Sequence, residues 1–261
     1  MLKKIFKFGP KKEDIIEIWC SITGLKDVMP VQTAGHFIPK WYENMPKWNS
    51  KQVEKLDHFR KNVSNKGTVK RCPAIPEFMS MGFVVPLWCD LRVKIFDDGS
   101  FEWNTPEGRF KFGQHPKNQL GEFLPKHAQP SLILKPDCPW YIKTPPGVSM
   151  FQFPMFYHFN PDFEVAPGVI WTDIHHEINQ QMMFKKKGEF LIQRGTPLAQ
   201  YIPYRRENFS HEVKEENKEL ITKRWTSYFN VRTKFTSGYQ FNRQRSVKEQ
   251  QAKCPYPHGG K

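Results

Sequence analysis

The sequence predicts a mainly β protein, and three observations predict it. Short β-type runs (Val169-Ile170, Phe190-Leu191-Ile192, Gln200-Tyr201-Ile202) alternate with Gly168, Gly188, Gly195 and Pro197 across residues 167–206. Glycine supplies the positive φ of tight turns, and proline fixes φ while removing a ladder donor, so each run ends where these residues stand. The chain is also rich in aromatic residues (15%) and in proline (22 residues), a composition that favours strands and ordered loops over long helices. Strands this short and this close bury both faces only inside a compact all-β unit, and 261 residues suffice for a sizeable core.

Taken in order, residues 1–12 read as a basic, weakly ordered start, and residues 14–21 (DIIEIWCS) as a first strand. Trp41, Met45 and Trp48 fall at helical spacing in a stretch interrupted by Pro39 and Pro46, which predicts a short N-terminal helix with its tryptophans anchored on the core. Residues 49–70 are polar and Lys-rich, as in a surface excursion. From Cys72 the texture changes. Residues 83–88 read as a buried strand and 91–96 as an alternating one, and Asp97-Asp98-Gly99-Ser100 turns the chain back into 101–103. Residues 105–130 read as an exposed loop. Residues 132–134 and 140–143 reopen the sheet, followed by Thr144-Pro145-Pro146-Gly147 and an aromatic run over 150–159.

Beyond Arg206, residues 211–235 predict a C-terminal amphipathic helix carrying Leu220, Ile221, Trp225, Tyr228 and Phe229. Its Glu-rich start and basic end suit the helix dipole. Residues 236–261 are polar and basic. This organisation divides the chain into an N-terminal segment (1–71), a β core (72–206) and a C-terminal helix with a basic tail (207–261).

The formal charge of +14 attracts polyanions such as nucleic acid, acidic glycans or an acidic protein surface. Five cysteines are dispersed without a CxxC pair, which argues against a disulfide framework or a cysteine zinc site and for reduced, mostly buried thiols. No run approaches the roughly 20 apolar residues that span a bilayer, and the N-terminus lacks the apolar stretch of a signal peptide, so a soluble protein with no membrane partner is expected.

Asp173, His175, His176 and Glu177 are the first constellation with chemical content. If residues 173–177 form a strand, Asp173, His175 and Glu177 share one face, and this mix of imidazole and carboxylates suits iron, manganese or zinc. The alternative is a set of surface or network groups. No nucleophile elbow, Walker loop or GxGxxG fingerprint is present, so neither a catalytic nor a cofactor-binding residue is assigned and no cofactor is expected. In the C-terminal third, Arg205, Arg206, Arg224, Arg232, Arg243 and Arg245 interleave with aromatic residues. That pattern suits a surface for single-stranded nucleic acid, or a solvated face over buried aromatics. Trp225, Phe229, Arg243 and Arg245 are the candidate partner-binding residues.

Two resemblances rest on quoted segments. The combination PWYIKTPPGVS, APGVIWTD and IQRGTPLAQYIPYRRE resembles an uncharacterised protein family of bacteriophages and bacteria. PGVIWTDIHHEI with FLIQRGTPLAQYI is similar to two motifs of the trimeric dUTP pyrophosphatases, which implies a β-clip-like core. In that resemblance Trp171 stands where the family places its catalytic aspartate, Ile174 replaces the tyrosine that packs on the sugar, and Pro197 replaces an arginine. The phosphate-gripping Arg–Ser pair and the Gly-rich closing arm have no counterpart. An indole is a donor only and cannot deprotonate a water. The expectation is therefore a non-catalytic binding or assembly protein, a virion-associated component of a bacteriophage. It would act through protein partners or self-assembly, a trimer included, with nucleic acid as a further partner, in the host cytoplasm or the virion. A metal-dependent, oxygenase-like enzyme or a diverged nucleotide hydrolase is the alternative.

Overall fold

The computed structural model describes residues 15–47, 68–108, 110–116 and 119–233. The chain forms two compact units, one made of residues 1–44 and 76–207, the other of residues 45–75 and 208–261. Compact unit and chain order therefore do not coincide, since residues 45–75 fall with the C-terminal segment.

The first unit is mainly β. Its strands are β1 (Glu17–Cys20), β2 (Gln32–Thr33), β3 (Phe83–Pro86), β4 (Leu91–Ile95), β5 (Phe101–Asn104), β6 (Phe112–Gln114) and β7 (Leu132–Pro136). They continue with β8 (Trp140–Lys143), β9 (Val148–Pro154), β10 (Phe163–Val165), β11 (Gly168–Ile170), β12 (Met182–Phe184), β13 (Gly188–Ile192) and β14 (Pro197–Arg205). Short helices α1 (Leu25–Val28) and α2 (Lys40–Asn44) precede β3, as does α3 (Ala74–Ser80), and α4 (Lys218–Thr233) lies in the second unit. The strands pair antiparallel into sheets of order β11-β9-β14-β3-β2, β10-β12-β7-β6, β13-β4-β5 and β1-β8.

Strand β4 shows why the sequence folds this way. Leu91, Val93 and Ile95 are buried while Arg92 and Lys94 face out, the two-residue alternation of a half-buried strand. The hairpin to β5 closes through the Gly99 amide, which donates to the Phe96 carbonyl at 3.0 Å, with Gly99 at φ 86°. A turn ending in a left-handed glycine matches the twist of its strands. Strand β14 lies between β9 and β3, and Ala199 and Tyr201 on it are fully buried. Side chains from all four sheets join one apolar core that includes Val85, Leu91, Leu134, Ile142, Met150 and Tyr201. The Tyr201 hydroxyl is satisfied by donating to Gln152 Oε1 at 2.8 Å, as a buried phenol requires.

Several elements depart from the sequence reading. The expected loop at 105–130 contains β6, because Phe112 packs on Trp103 and Phe110 at 4.8 Å, and Phe110 packs on Trp88 at 5.3 Å. Strands β10 and β12, three residues each, are too short to show a period. Helix α3 was masked by Pro76, which stands in its first turn, where an amide has no intrahelical partner to lose. Helix α4 begins at Lys218 rather than at His211, because Asn217 Oδ1 accepts from the Leu220 amide at 2.9 Å and caps it. Trp41 on α2 is not buried in the core as expected: it stays exposed and donates from Nε1 to the Tyr157 carbonyl at 2.8 Å, while Trp48 lies outside the described residues. Among the described thiols Cys89 is buried, Cys20 and Cys138 are half-buried, and Cys72 is exposed; all are free.

The expectation that Gly147, Gly168 and Gly195 occupy turns holds for Gly147 and Gly195, both at positive φ, whereas Gly168 opens β11. The tightest glycine is Gly82, at φ 69°, where an added Cβ would lie 2.0 Å from the Tyr201 carbonyl oxygen. Backbone cannot yield there without breaking the β3–β14 ladder. Gly82→Ala is expected to cost about 2 kcal/mol or more in urea denaturation, whereas Gly168→Ala, with nothing near its Cβ, should change stability by less than about 1 kcal/mol. Equal stability of the two variants would contradict this packing.

Candidate functional site

The densest polar constellation lies where three strands meet. Strand β9 starts at Val148, beside the end of β14 (Arg205 pairs with Val148) and beside the end of β11 (Ile170 pairs with Met150). The loops that follow or precede these ends therefore converge. The β8–β9 connection is a tight turn: the Val148 amide donates to the Pro145 carbonyl at 3.1 Å, and Gly147 takes the positive φ of 77°. After β11, residues 171–174 turn, with the Ile174 and His175 amides both donating to the Trp171 carbonyl.

Arg206 ties these loops together. Its Nη1 donates to Asp173 Oδ1 and to Ser149 Oγ, each at 2.7 Å, and its Nη2 donates to Asp173 Oδ2. The Gly147 amide also donates to Asp173 Oδ2, at 3.0 Å, and the Arg206 amide donates to the Gly147 carbonyl at 2.9 Å. The guanidinium carbon lies 4.1 Å from the Trp171 ring centroid, a cation–π contact. The Asp173 side chain is only 8% exposed. Beneath it, Thr144 Oγ1 donates to the Val148 carbonyl at 2.7 Å and meets Thr172 Oγ1 at 2.8 Å, both threonines being buried. His176 Nδ1 lies 2.8 Å from the Thr172 carbonyl and so carries the proton there.

This bidentate pair holds the Asp173 carboxyl well below the usual carboxylate range, at about 2, chiefly through the hydrogen bonds from Arg206. Two open cavities lie on this unit, the first bordered by Trp171 of the clasp. One of 350 Å³ is lined by Gly168, Trp171, His175, Glu177, Asn179 and Gln181 among others, and one of 490 Å³ by Trp19, Tyr141, Lys143 and His176 with neighbours. Trp19 and Trp171 expose 59% and 52% of their surface beside them.

The structure does not set Asp173, His175 and Glu177 on one strand face. Strand β11 ends at Ile170, Asp173 lies in the turn that follows, and the three-residue alternation expected of a strand is interrupted there. Asp173 turns inward to Arg206, while His175 and Glu177 are exposed. Among the described residues no group of three or more His, Cys, Asp and Glu is placed to hold a metal ion. Of the candidate partner-binding residues, Trp225 is 59% exposed on α4, Phe229 lies on that helix, and Arg243 and Arg245 lie outside the described residues. The sequence reading missed Arg206 as the organising residue. Its signal was the Arg205-Arg206 pair closing a strand, and its partner stands 33 residues away.

Fold and site together define the class: a mainly β protein in which an arginine–aspartate clasp joins the ends of neighbouring strands. No family model matches the chain, and no curated protein matches it. Among solved structures, it is similar to native EIAV dUTPase, at 16% identity over 52% of this chain and 85% of that one, with a TM-score of 0.30. No described helix is long and apolar enough to cross a membrane.

Because the folded Asp173 carboxyl titrates below its unfolded value near 4, the clasp stabilises the fold fully above about pH 4 and is lost as pH falls toward about 2. Asp173→Asn is expected to lower the melting temperature at pH 7 and to narrow the gap to wild type as the pH drops through that window. A gap independent of pH between 2 and 5 would show that the carboxylate is not the stabilising group.

Proposed function

We propose that this chain is a non-catalytic binding or assembly protein, a component of a bacteriophage particle. The observation that carries the reading is the use made of the acid in the 171–174 turn. Both oxygens of Asp173 are engaged, Oδ1 by Arg206 and Oδ2 by Arg206 and the Gly147 amide, so the group serves to brace three loops. Trp171, beside it, is capped on one face by Arg206. The bacteriophage assignment rests on the resemblance of the TPPG, PGV and GTPLAQ segments. Large exposed aromatic side chains, Trp19 and Trp171 beside open cavities, supply surfaces of the kind that mark interaction sites.

The test is direct. Purified protein should release no pyrophosphate from dUTP, and Trp171→Asp should not create that activity, since the remaining groups of such a site would still be missing. Light scattering after gel filtration should show self-association, weakened by removing the residues after Phe235 with little change in melting temperature. Metal-dependent pyrophosphate release by the wild-type protein, or a stoichiometric transition metal lost in His175→Ala, would overturn the proposal in favour of an enzyme.

A further inference from the structure

Strand β1 is paired on one side only, with β8, and that pairing dictates which of its backbone groups face outward. The Ser21 amide donates to the Pro139 carbonyl at 2.9 Å, so Ser21 and Pro139 are a hydrogen-bonded pair. Antiparallel ladders alternate bonded and non-bonded pairs. Trp19–Tyr141 and Glu17–Lys143 are therefore bonded, and Ile18–Ile142 and Cys20–Trp140 are not. The Ile142 amide accordingly turns away from β1 and donates to the His176 carbonyl at 2.9 Å. By the same rule Ile18 and Cys20 aim their amides and carbonyls away from β8, and among the described residues no group meets them there. Two donors and two acceptors stand in a row along a free edge.

Proteins blunt such an edge with lysine, proline or a bulge. Strand β1 has none of these: it reads EIWC, and its register with β8 is unbroken. Its inner face is apolar, with Ile16, Ile18 and Cys20 packed against the core, so the strand is held in place. Its outer face carries Glu17 and Trp19. The Trp19 side chain is 59% exposed and lines the 490 Å³ cavity with Tyr141, and its Nε1 donates to Glu17 Oε2 at 3.1 Å.

We propose that β1 is a homodimer interface, in which two copies of this chain pair antiparallel through this edge about a two-fold axis at Trp19. In that register Ile18 of each copy exchanges both backbone hydrogen bonds with Cys20 of the other, which satisfies every open group of those residues. The residues on the axis form a non-bonded pair, where side chains are closest, and the two indoles meet there as a cross-strand aromatic pair. Each Glu17 falls opposite Ser21 of the second copy, and the two carboxylates sit at opposite ends of the pairing. A two-strand ribbon becomes a sheet of order β8-β1-β1-β8. A strand of another protein would match the backbone alone, whereas a second copy matches the backbone, the indole and the charge. This rests on the reading of the chain as an assembly protein and names the surface and symmetry it uses.

Light scattering after gel filtration of the full chain should give twice the chain mass at high concentration, falling on dilution. Trp19→Lys sets two ammonium groups against each other on the axis and should weaken dimerisation about tenfold or more, while the far-ultraviolet circular dichroism stays that of wild type. Trp19→Cys, in a chain whose Cys72 and Cys254 are replaced by serine, should form a covalent dimer on air oxidation. The Cα atoms of a non-bonded antiparallel pair lie about 4.5 Å apart, within reach of a disulfide. Val28→Cys in the same background, 71% exposed, should stay uncrosslinked on the same non-reducing gel. A monomeric wild type overturns the proposal, as does a trimer without the Trp19→Cys crosslink, or equal crosslinking of the two cysteine variants. Ile18 and Cys20 amides protected from hydrogen exchange in a monomer would also overturn it, since a strand of the same chain would then fill the edge. Self-association untouched by Trp19→Lys yet lost on removing the residues after Phe235 sinks this interface alone. A monomer in every sample removes the self-association of the broader reading as well.

Discussion

The pairing of Arg206 with Asp173 is the interaction on which the arrangement of the β unit's most polar end depends. Three chain segments end there, each leaving polar groups that cannot face the core. The guanidinium has donors in a rigid fork, and three of its N–H groups go to both carboxylate oxygens and the Ser149 hydroxyl while its flat face covers Trp171. A lysine could match the charge but not the two-point geometry or the stacking. Taking two ions partly out of water is costly, and such a pair is weak evidence of net stability. In the observed register of β11, β9 and β14, Gly147, Asp173 and Arg206 lie within hydrogen-bonding distance of one another.

That register has a cause. In an antiparallel sheet of order β11-β9-β14, the end of each outer strand lies beside the start of the middle one. Gly147 precedes β9, Trp171 and Asp173 follow β11, and Arg206 follows β14, so the three loops meet by topology before any side chain acts. The buried Thr144–Thr172 contact then joins two of these loops below the ion pair. The cross-bracing also holds Trp171, whose ring lies against the Arg206 guanidinium.

The separation of charge between the units has the opposite character. The β unit, with a net of +2 in sequence, can pack four sheets with little self-repulsion, whereas the remaining residues hold a net of +12 in sequence. Part of the described charge is balanced locally by pairs along α4, but exposed pairs of this type are screened and contribute little stability.

By itself the sequence determined the elements whose signals are local. The β4–β5 hairpin was legible because Leu91, Val93 and Ile95 alternate with charged residues and Asp98-Gly99 carries its own turn stereochemistry. The mainly β class and the two terminal helices followed from the same short-range rules, as did the strand Trp140–Lys143. Local rules failed where a segment's conformation is chosen by what it packs against. Phe110 and Phe112 are drawn in by Trp88 and Trp103, and Asp173 is turned from an expected strand face to a partner 33 residues away. Side-chain period and turn chemistry act over a few residues, so they can be read in a line of letters. Which strand ends adjoin depends on sheet order and on contacts between distant residues, and only the tertiary structure decided that.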